Sequence, residues 1–326
     1  MTSFSWGVLG PGGIARAFAA DLKNTQGHHI GAVGSRTLAH ATSFSKEFGG
    51  RAYGSYEELV ADPTIDAIYV ATPHPAHHDN VILALNHGKP VLCEKPFAVN
   101  AQQAQAMVDA AQRNNCALME AMWARFLPHY GQIRRIIATG VLGPILSIHA
   151  DHGQRLADQN IPRLVDPHLA GGALLDLGIY PVSLAHMVLG NPHKITASAV
   201  MTDQGVDAQT SMIFDYDNGA QAVLTTTMIE QTPCRAVIAG LNGWLEIDRT
   251  FYNPASMRVV HNDGSTTDYP NTYVGHGLRE QAEHFKELVT SGGLQSDLLT
   301  WQDSVEIMQT LDTVRACIGL TYPFEN

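Results

Sequence analysis

Apolar runs of strand length alternate with amphipathic stretches through the first 120 residues. The strand-like runs are Ser5–Leu9, His29–Val33, Asp66–Ala71, Pro90–Cys93 and Cys116–Met119. The stretches with helical periodicity are Ala15–Leu22, Leu38–Phe48, Ala76–Asn86 and Ala101–Asn114. Strands that alternate with helices favour a doubly wound, parallel α/β sheet with helices on both faces. We therefore predict such a domain over residues 1–122.

The pattern changes beyond residue 122. A helix is predicted over His129–Thr139, followed by a long strand over Ile145–Gln154. Three two-residue hairpin signals, each followed by or set between strand-like stretches such as Gln221–Met228 and Trp244–Ile247, are Asn218-Gly219, Asn242-Gly243 and Asp263-Gly264. Two further helices are predicted over Leu278–Thr290 and Trp301–Cys317. Residues 123–326 are thus predicted to form an α+β domain with a large, mostly antiparallel open sheet.

Composition narrows the class of protein. The 326 residues are 45% apolar and 16% charged, which allows a large core, and the formal net charge of -11 argues against a nucleic-acid partner. Four widely spaced cysteines, Cys93, Cys116, Cys234 and Cys317, indicate neither a disulfide scaffold nor a zinc site and fit a reducing cytoplasm. The first residues, Met1–Trp6, lack a basic segment followed by a long apolar one, and no apolar run reaches ~18 residues, so we expect neither export nor a membrane span.

A glycine-rich turn joins the first strand to the first helix. It reads Gly10-Pro11-Gly12-Gly13-Ile14-Ala15, a G-x-G-x-x-A pattern. The first glycine permits a tight turn, the second lets the backbone approach a pyrophosphate, and the small Ala15 lets the helix pack on the strand. The alternative is a purely structural turn. We interpret the pattern as a Rossmann dinucleotide site with Gly10, Gly12, Gly13 and Ile14 at the cofactor.

The end of the second strand predicts which dinucleotide binds. An NAD-selective site needs an acidic residue there to hold the ribose hydroxyls. The chain has Gly34-Ser35-Arg36 instead, which offers a hydroxyl and a guanidinium suited to a 2'-phosphate. We therefore predict NADP through Ser35 and Arg36, with NAD possible as well. The alternative is that Arg36 is a surface residue that opens the following helix.

Two more turns lie where predicted strands end. The tripeptide Glu94-Lys95-Pro96 presents a lysine on stiff backbone at the edge where open α/β sheets bind ligands, although Lys95 could simply be solvated. The other turn starts at Thr72 and carries several histidines. No carboxylate or cysteine accompanies these histidines at a ligand spacing, so we predict no metal. The cofactor contacts predicted from both turns are Thr72, Pro73, His74, His77, Glu94 and Lys95.

One apolar segment in the second half carries a polar pair. After Gly171-Gly172 the chain enters a predicted helix in which Asp176 and Tyr180 are four residues apart and share a face. A surface pair is the alternative interpretation. His186 falls on nearly the opposite side of that helix and is predicted to be structural.

Four motifs together resemble the glucose-fructose oxidoreductase / inositol dehydrogenase / MocA (Gfo/Idh/MocA) family. They are the Gly10–Ala15 turn, Glu94-Lys95-Pro96, the junction Glu120–Pro128 and the segment Gly171–Tyr180. The chain is most similar to the dimeric dihydrodiol dehydrogenase / NADP-dependent D-xylose 1-dehydrogenase branch, because Tyr180 stands where inositol dehydrogenases usually carry histidine. The stretches Tyr273–Leu278 and Ile318–Pro323 also resemble that branch.

The resemblance implies a two-domain NADP-dependent oxidoreductase that acts on a sugar, a polyol or a vicinal diol. It makes Lys95 and Tyr180 the catalytic pair, places Asp176 with them as a substrate ligand, and makes Trp123 and Arg125 walls of the substrate pocket. Trp123 could instead be a core aromatic. The resemblance further suggests a cis Lys95-Pro96 bond.

Three expectations remain. The polar strand around His152 favours a sugar or polyol over a dihydrodiol. The open face of the second sheet predicts a homodimer or homotetramer. A non-catalytic NADP-sensing regulator on the same fold is the alternative function, and the joint presence of Lys95, Asp176 and Tyr180 speaks against it.

Overall fold

The computed structural model describes residues 3–156, 159 and 161–325, which form two compact units. The N-terminal unit contains the chain up to Phe126 together with Gly275–Val305, and the C-terminal unit contains Leu127–Val274 and the chain from Glu306 onward. The sequence-based division into residues 1–122 and 123–326 differs from this one, since residues 275–305 are counted with the N-terminal unit.

A six-stranded parallel sheet forms the N-terminal unit, with strand order β3-β2-β1-β4-β5-β6. The strands are β1 Phe4–Leu9, β2 His28–Gly34, β3 Arg51–Tyr53, β4 Ala67–Val70, β5 Val91–Glu94 and β6 Leu118–Ala121. The helices are α1 Gly13–Leu22, α2 Leu38–Phe48, α3 Tyr56–Val60, α4 His77–Asn86 and α5 Ala101–Asn114. The central strands are buried on both faces, which explains why their sequences are continuous apolar runs. The predicted Rossmann fold is confirmed.

Helix α9 (Arg279–Thr290) explains why a late segment belongs to the N-terminal unit. The buried carboxylate of Asp21 in α1 accepts hydrogen bonds from the main-chain N–H groups of Gly277, Leu278 and Arg279, at 3.2, 2.8 and 3.0 Å. These are N–H groups at the start of α9, which need acceptors from elsewhere. No sequence pattern marked Asp21, because its partners lie more than 250 positions away.

An eight-stranded sheet forms the centre of the C-terminal unit, with order β14-β13-β12-β11-β7-β10-β9-β8. Its strands are β7 Ile145–Gly153, β8 Lys194–Met201, β9 Asp207–Asp215, β10 Gln221–Thr227, β11 Ala236–Gly240, β12 Gly243–Ile247, β13 Met257–His261 and β14 Thr266–Tyr269. The helices of this half are α6 Pro128–Ala138, α7 Pro162–Val165, α8 Ile179–Leu189 and α10 Trp301–Ile318, whose first residues are counted with the N-terminal unit. All three hairpins are confirmed as antiparallel pairs, and β7 with β10 is a parallel exception.

Helix α8 and the π-helical segment Leu174–Gly178 that precedes it pack on one face of this sheet. The longer stretch Pro167–Leu189 is long and apolar enough to cross a membrane, yet 83% of its most apolar part is buried inside the protein. It is therefore best described as the core helix of this unit, and the side chains it carries are held by close packing.

Candidate functional site

The glycine turn after β1 leaves open space at the start of α1. Gly10 has a positive φ of 94°, and a Cβ built there would lie 3.0 Å from Thr72 Cγ2. A Cβ on Gly13 would meet nothing within 4 Å, and Gly12 is almost as open. The first turn of α1 has no acidic residue and no side-chain cap, so its N–H groups can bind an anion. This cradle fits the pyrophosphate of a dinucleotide.

The cradle lies where the strand order of the parallel sheet reverses. Strands β1 and β4 are neighbours although two strands separate them in sequence, and such a switch point is the ligand crevice of open α/β sheets. The structure therefore brings together the predicted residues that follow β1 and those that follow β4, Thr72, Pro73 and His74. Ser35 and Arg36 follow β2, the adjacent strand on the other side, with Ser35 buried and Arg36 exposed.

His77 has a role that its sequence position did not indicate. The side chain is fully buried, with Nδ1 2.9 Å from the carbonyl oxygen of Pro96 and Nε2 2.8 Å from that of Thr72. Burial lowers its pKa. The ring thus lies between the turn after β4 and the turn after β5, and its predicted contact with the cofactor stays a prediction.

Buried carboxylates hold the turn that carries Lys95. Tyr69 donates to Glu94 Oε1 over 2.5 Å, and the other oxygen of Glu94 accepts from Lys95 N at 3.2 Å. Glu120 on β6 accepts from Phe97 N at 3.1 Å. The Lys95-Pro96 bond is cis, as the resemblance suggested. The hydrogen bonds to Glu94 and Glu120 hold the backbone at Lys95 and just after it, where the chain leaves the sheet.

Glu120 is the most deeply buried of these acids. It is 2% exposed, and Ser304 donates to its Oε2 over 2.7 Å. Burial raises the pKa of this carboxyl from its ordinary 4.5 to about 7. Glu120 opens the junction motif Glu120–Pro128, but the sequence predicted no role for it, because a single glutamate at a strand end has no spacing signature.

Trp123 and Arg125 lie in the short 3-10 helix Trp123–Phe126, directly after β6. Both are buried, and the Trp123 ring lies 5.5 Å from that of His276, centroid to centroid. Arg125 Nη2 donates to the carbonyl of Leu298 over 3.1 Å. These contacts anchor both side chains within the N-terminal unit, and their part in substrate binding stays a prediction.

The predicted polar pair Asp176 and Tyr180 lies in the C-terminal unit and is buried. Asp176 Oδ1 is 2.7 Å from Arg163 Nη1, a partner in α7 that sequence reasoning missed. The surface-pair alternative is therefore wrong. His186, predicted to be structural, is buried with Nε2 3.1 Å from both Asn191 Oδ1 and Glu306 Oε2.

Two further rings surround Tyr180. Its centroid is 5.2 Å from that of His152 on β7 and 4.6 Å from that of Tyr252. Gln154 joins them, with Nε2 2.9 Å from both His152 Nε2 and the Tyr252 hydroxyl. His152 Nδ1 is 3.0 Å from the carbonyl oxygen of Leu177, which can only accept a hydrogen bond. Nδ1 therefore carries the hydrogen, and Nε2 accepts a hydrogen bond from Gln154. Tyr252 had no sequence signal because it lies in a loop without a motif.

The raised pKa of Glu120 predicts a pH-dependent stability. Folded protein keeps the proton on Glu120 up to about pH 7, whereas unfolded chain releases it near 4.5. The contribution to folding is therefore fully present below pH 4.5 and is lost as pH rises through 7. Relative to Glu120→Gln, the wild-type free energy of unfolding should fall by at most about 3 kcal/mol over this window.

Urea unfolding at a series of pH values between 4.5 and 8 measures this difference. Glu287→Gln, a change at an exposed glutamate in α9, is the matched control and should leave the pH profile unchanged. Parallel profiles for wild type and Glu120→Gln would contradict the prediction.

Comparison with known proteins gives full-length relatives. The chain is 36% identical over 329 residues to trans-1,2-dihydrobenzene-1,2-diol dehydrogenase from Xenopus tropicalis, covering 98% of this chain and 99% of the relative. It is 35% identical to D-xylose 1-dehydrogenase (NADP(+)) from Hypocrea jecorina, covering 98% and 93%.

A solved structure is also similar, a 3-ketoreductase from Actinomadura kijaniata in complex with NADP and TDP-benzene. It has a TM-score of 0.87 and 26% identity, and the match covers 97% of this chain and 98% of the other. Residues 4–122 match the family described as "Oxidoreductase family, NAD-binding Rossmann fold", and residues 130–246 match the "GFO/IDH/MocA C-terminal domain". On these matches the chain belongs to the Gfo/Idh/MocA oxidoreductase family.

Proposed function

We propose that the chain is an NADP-dependent oxidoreductase that transfers a hydride between the nicotinamide and a hydroxyl or carbonyl carbon of a sugar, a polyol or a vicinal diol. The observation that carries this proposal is the open glycine cradle at the start of α1, on the switch point of the parallel sheet. Full-length similarity to a dihydrodiol dehydrogenase and to an NADP-linked xylose dehydrogenase supports it.

The residues of the N-terminal unit account for cofactor binding. The main-chain N–H groups of Gly13 and Ile14 are proposed to hold the pyrophosphate, whereas that of Gly12 donates to the carbonyl of Gly10. Ser35 and Arg36 are proposed to hold the 2'-phosphate, since no acid follows β2 to compete with it. The turns that begin at Thr72 and Glu94 would flank the nicotinamide half. NAD would bind the same cradle without the guanidinium contact.

When bound, NADP supplies the hydride acceptor or donor, and the protein handles the proton. Tyr180 is proposed to take the hydroxyl proton from the alcohol, or to return it to the carbonyl. Asp176 is proposed to hold a substrate hydroxyl, with its negative charge balanced by the Arg163 guanidinium 2.7 Å away. Trp123 and Arg125 are proposed to contact the rest of the ring.

A tyrosine needs help to act as a base near neutral pH. Its ordinary pKa is about 10, so a nearby cation is required to favour the phenolate. Lys95 is the cation proposed for this role, because the backbone of its turn is held by the buried carboxylates of Glu94 and Glu120. The stiff turn would present the ammonium in one place instead of on a mobile arm.

The surroundings of Tyr180 favour a polyhydroxylated substrate. His152, Gln154 and the Tyr252 hydroxyl form one hydrogen-bonded row beside the phenol ring. A site built from polar groups rejects a ligand that leaves those groups unpaired. The several hydroxyls of a sugar or polyol can pair with polar groups of this kind, whereas the ring of a dihydrodiol, apart from its two hydroxyls, cannot. We therefore place sugars and polyols ahead of dihydrodiols as substrates.

We also propose a cytoplasmic location and a homodimeric or homotetrameric assembly. All four cysteines are free thiols and three of them are buried, which suits a reducing compartment. The sheet face opposite α8 carries partly exposed apolar side chains, among them the paired Ile213 on β9 and Val223 on β10, and Val237 on β11 beyond β7. A second copy could cover this face.

Turnover is tested directly by a substrate screen. Aldoses, inositols, anhydro-sugars and vicinal diols are incubated with NADP and, separately, with NAD, and the cofactor absorbance is followed. We expect turnover with at least one sugar or polyol. A complete absence of turnover in both cofactor series would overturn the proposed function.

The catalytic roles are tested by Lys95→Met and Tyr180→Phe. Each change should lower kcat by about two to four orders of magnitude, the range expected when general acid–base help is lost. NADP affinity should be largely unchanged. The double variant should be scarcely slower than either single one, because groups that act on one step give non-additive losses.

Lys89→Met is the matched control for the lysine. Lys89 precedes β5, and its ammonium donates to the carbonyls of Asp62 and Ile65, so its loss should affect stability more than turnover. Fully additive losses in the double variant would indicate independent roles for Lys95 and Tyr180. Wild-type turnover in Tyr180→Phe would remove Tyr180 from the proton transfer.

The choice of cofactor is tested by Arg36→Ala. One charge-assisted contact contributes roughly 1.5 to 3 kcal/mol, so NADP binding should weaken about ten- to a hundredfold while NAD binding changes little. Titration calorimetry with both cofactors measures this. Lys46→Ala, an exposed cation further along α2, is the control. Equal losses for NADP and NAD would contradict the assignment.

The assembly is tested by Ile213→Lys. Ile213 on β9 is 42% exposed, and a charge there should prevent burial of the sheet face. Light scattering at micromolar concentration should give a dimer or tetramer mass for wild type and a smaller mass for the variant. Val274→Lys, at an apolar residue that is 81% exposed, should leave the mass unchanged. A monomer mass for wild type would refute the proposal.

A further inference from the structure

The C-terminal end of the chain makes a buried contact with the segment that carries the polar pair. Tyr322 is 0% exposed, and its hydroxyl donates to the carbonyl oxygen of Gly171 over 2.9 Å. The guanidinium of Arg315 in α10 lies over the Tyr322 ring, 4.5 Å from the centroid. The stretch around Tyr322 thus has a contact that neither cofactor binding nor proton transfer explains.

The tail itself is firmly attached. Arg315 forms two contacts with the Glu325 carboxylate, one of them from Nη1 to Oε1 at 3.1 Å. Glu325 Oε2 also accepts from Tyr322 N at 3.0 Å. The turn Pro323–Glu325 packs against the turn Pro167–Leu169. A bidentate pair of this kind fixes geometry as well as adding energy, so the Tyr322 hydroxyl is delivered to a defined place.

A second buried side chain holds the other end of the same turn. Asp207 at the start of β9 is fully buried, and its Oδ2 accepts from Leu174 N at 2.8 Å and from the Thr210 hydroxyl at 2.7 Å. Gly172 has a φ of 119°, and a Cβ built there would lie 2.1 Å from Asp207 Oδ1. The glycine is therefore required both by its backbone conformation and by the close approach of the carboxylate.

The two anchors lie on either side of Gly172. Tyr322 holds Gly171 and Asp207 holds Leu174, where the π-helical segment starts. Gly171 and Gly172 have no side chains of their own that could fix the turn. Asp176 follows two positions after Leu174, and Tyr180 follows four positions later. A shift of the turn would move both side chains together.

We propose that Tyr322 and Asp207 are positioning residues for the reaction, which fix the Gly171–Leu174 turn and thereby the places of Asp176 and Tyr180. This rests on the proposed function for the roles of Asp176 and Tyr180, but the anchoring itself does not. Neither positioning residue needs to touch the substrate. A displacement of 1 Å at a reacting group can lower the rate about a hundredfold, so a distant anchor can govern turnover.

The matched pair Tyr322→Phe and Tyr216→Phe tests this proposal. Both tyrosines are buried in the C-terminal unit, and the Tyr216 hydroxyl has no hydrogen-bond partner among the described residues. Tyr322→Phe should speed hydrogen exchange of the amides in 171–180 and lower kcat about ten- to a hundredfold, with NADP affinity unchanged. Tyr216→Phe should change none of these quantities.

Asp207→Asn is the second variant. If Asp207→Asn does not fold, Tyr322→Phe alone tests the proposal. Asn keeps a side-chain oxygen for Leu174 N but lacks the charge that the carboxylate carries above its pKa of about 7, so faster exchange over the same amides is expected at pH 8. Because both residues hold one turn, the loss of kcat in the double variant should be less than the product of the single losses.

The outcomes separate the two proposals. Unchanged exchange in Tyr322→Phe would overturn the anchoring, whether or not the protein turns over a sugar. Faster exchange with unchanged kcat would overturn the positioning role. If wild type shows no turnover with any substrate in the screen, the proposed function and the positioning role fail together, while the exchange measurement still decides the anchoring.

Discussion

The carboxyl ends of six parallel strands lie along one edge of the N-terminal sheet, and the predicted cofactor site depends on this constraint. Parallel pairing sends every strand in the same direction, so the turns after β1, β2, β4 and β5 emerge together. Gly10 and Thr72 are 62 positions apart, yet a Cβ on the glycine would lie 3.0 Å from the threonine methyl. The cradle exists because the sheet is parallel and its order reverses between β1 and β4.

Buried carboxylates are the devices that hold the functional turns in both units. Glu120 holds the turn with Lys95, and Asp207 holds the turn that precedes Asp176 and Tyr180. Burial raises the pKa of each to about 7. A carboxyl that loses its water is costly unless donors replace it. Each of these carboxyls accepts from one main-chain N–H and one hydroxyl, while Oδ1 of Asp207 has no hydrogen-bond partner among the described residues. Burying these carboxyls lowers the free energy of unfolding, but it holds the backbone of each turn in a defined position.

A hydrogen-bonded row of His152, Gln154 and Tyr252 lies beside Tyr180 in the C-terminal unit. His152, Gln154 and Tyr252 come from a strand and from a distant loop, and their hydrogen bonds fix which nitrogen of His152 carries the proton. Aromatic rings packed at 4.1 to 5.2 Å supply apolar surface in the same place. The combination suits a ring with one apolar face and several hydroxyl groups.

The class of fold and the residues in local motifs were predictable from the amino-acid sequence. Strand–helix alternation, the Gly10–Ala15 turn and three hairpin dipeptides each depend on neighbours within a few positions, so they can be read without a structure. Short elements such as β3 and α3 were missed, because three to five residues do not establish a period. The parallel pairing of β7 with β10 was missed as well, since no turn residue encodes a long connection.

The side chains that surround the predicted site residues could be identified only from the three-dimensional structure. Arg163 beside Asp176, Tyr252 beside Tyr180, and Tyr322 beneath Gly171 come from segments that carry no spacing signal. Asp21 accepts hydrogen bonds from the start of α9, more than 250 positions away, and residues 275–305 belong to the N-terminal unit. Local periodicity reflects backbone geometry, whereas these partners were brought together by burial and by the need to satisfy buried polar groups, which act at any separation along the chain.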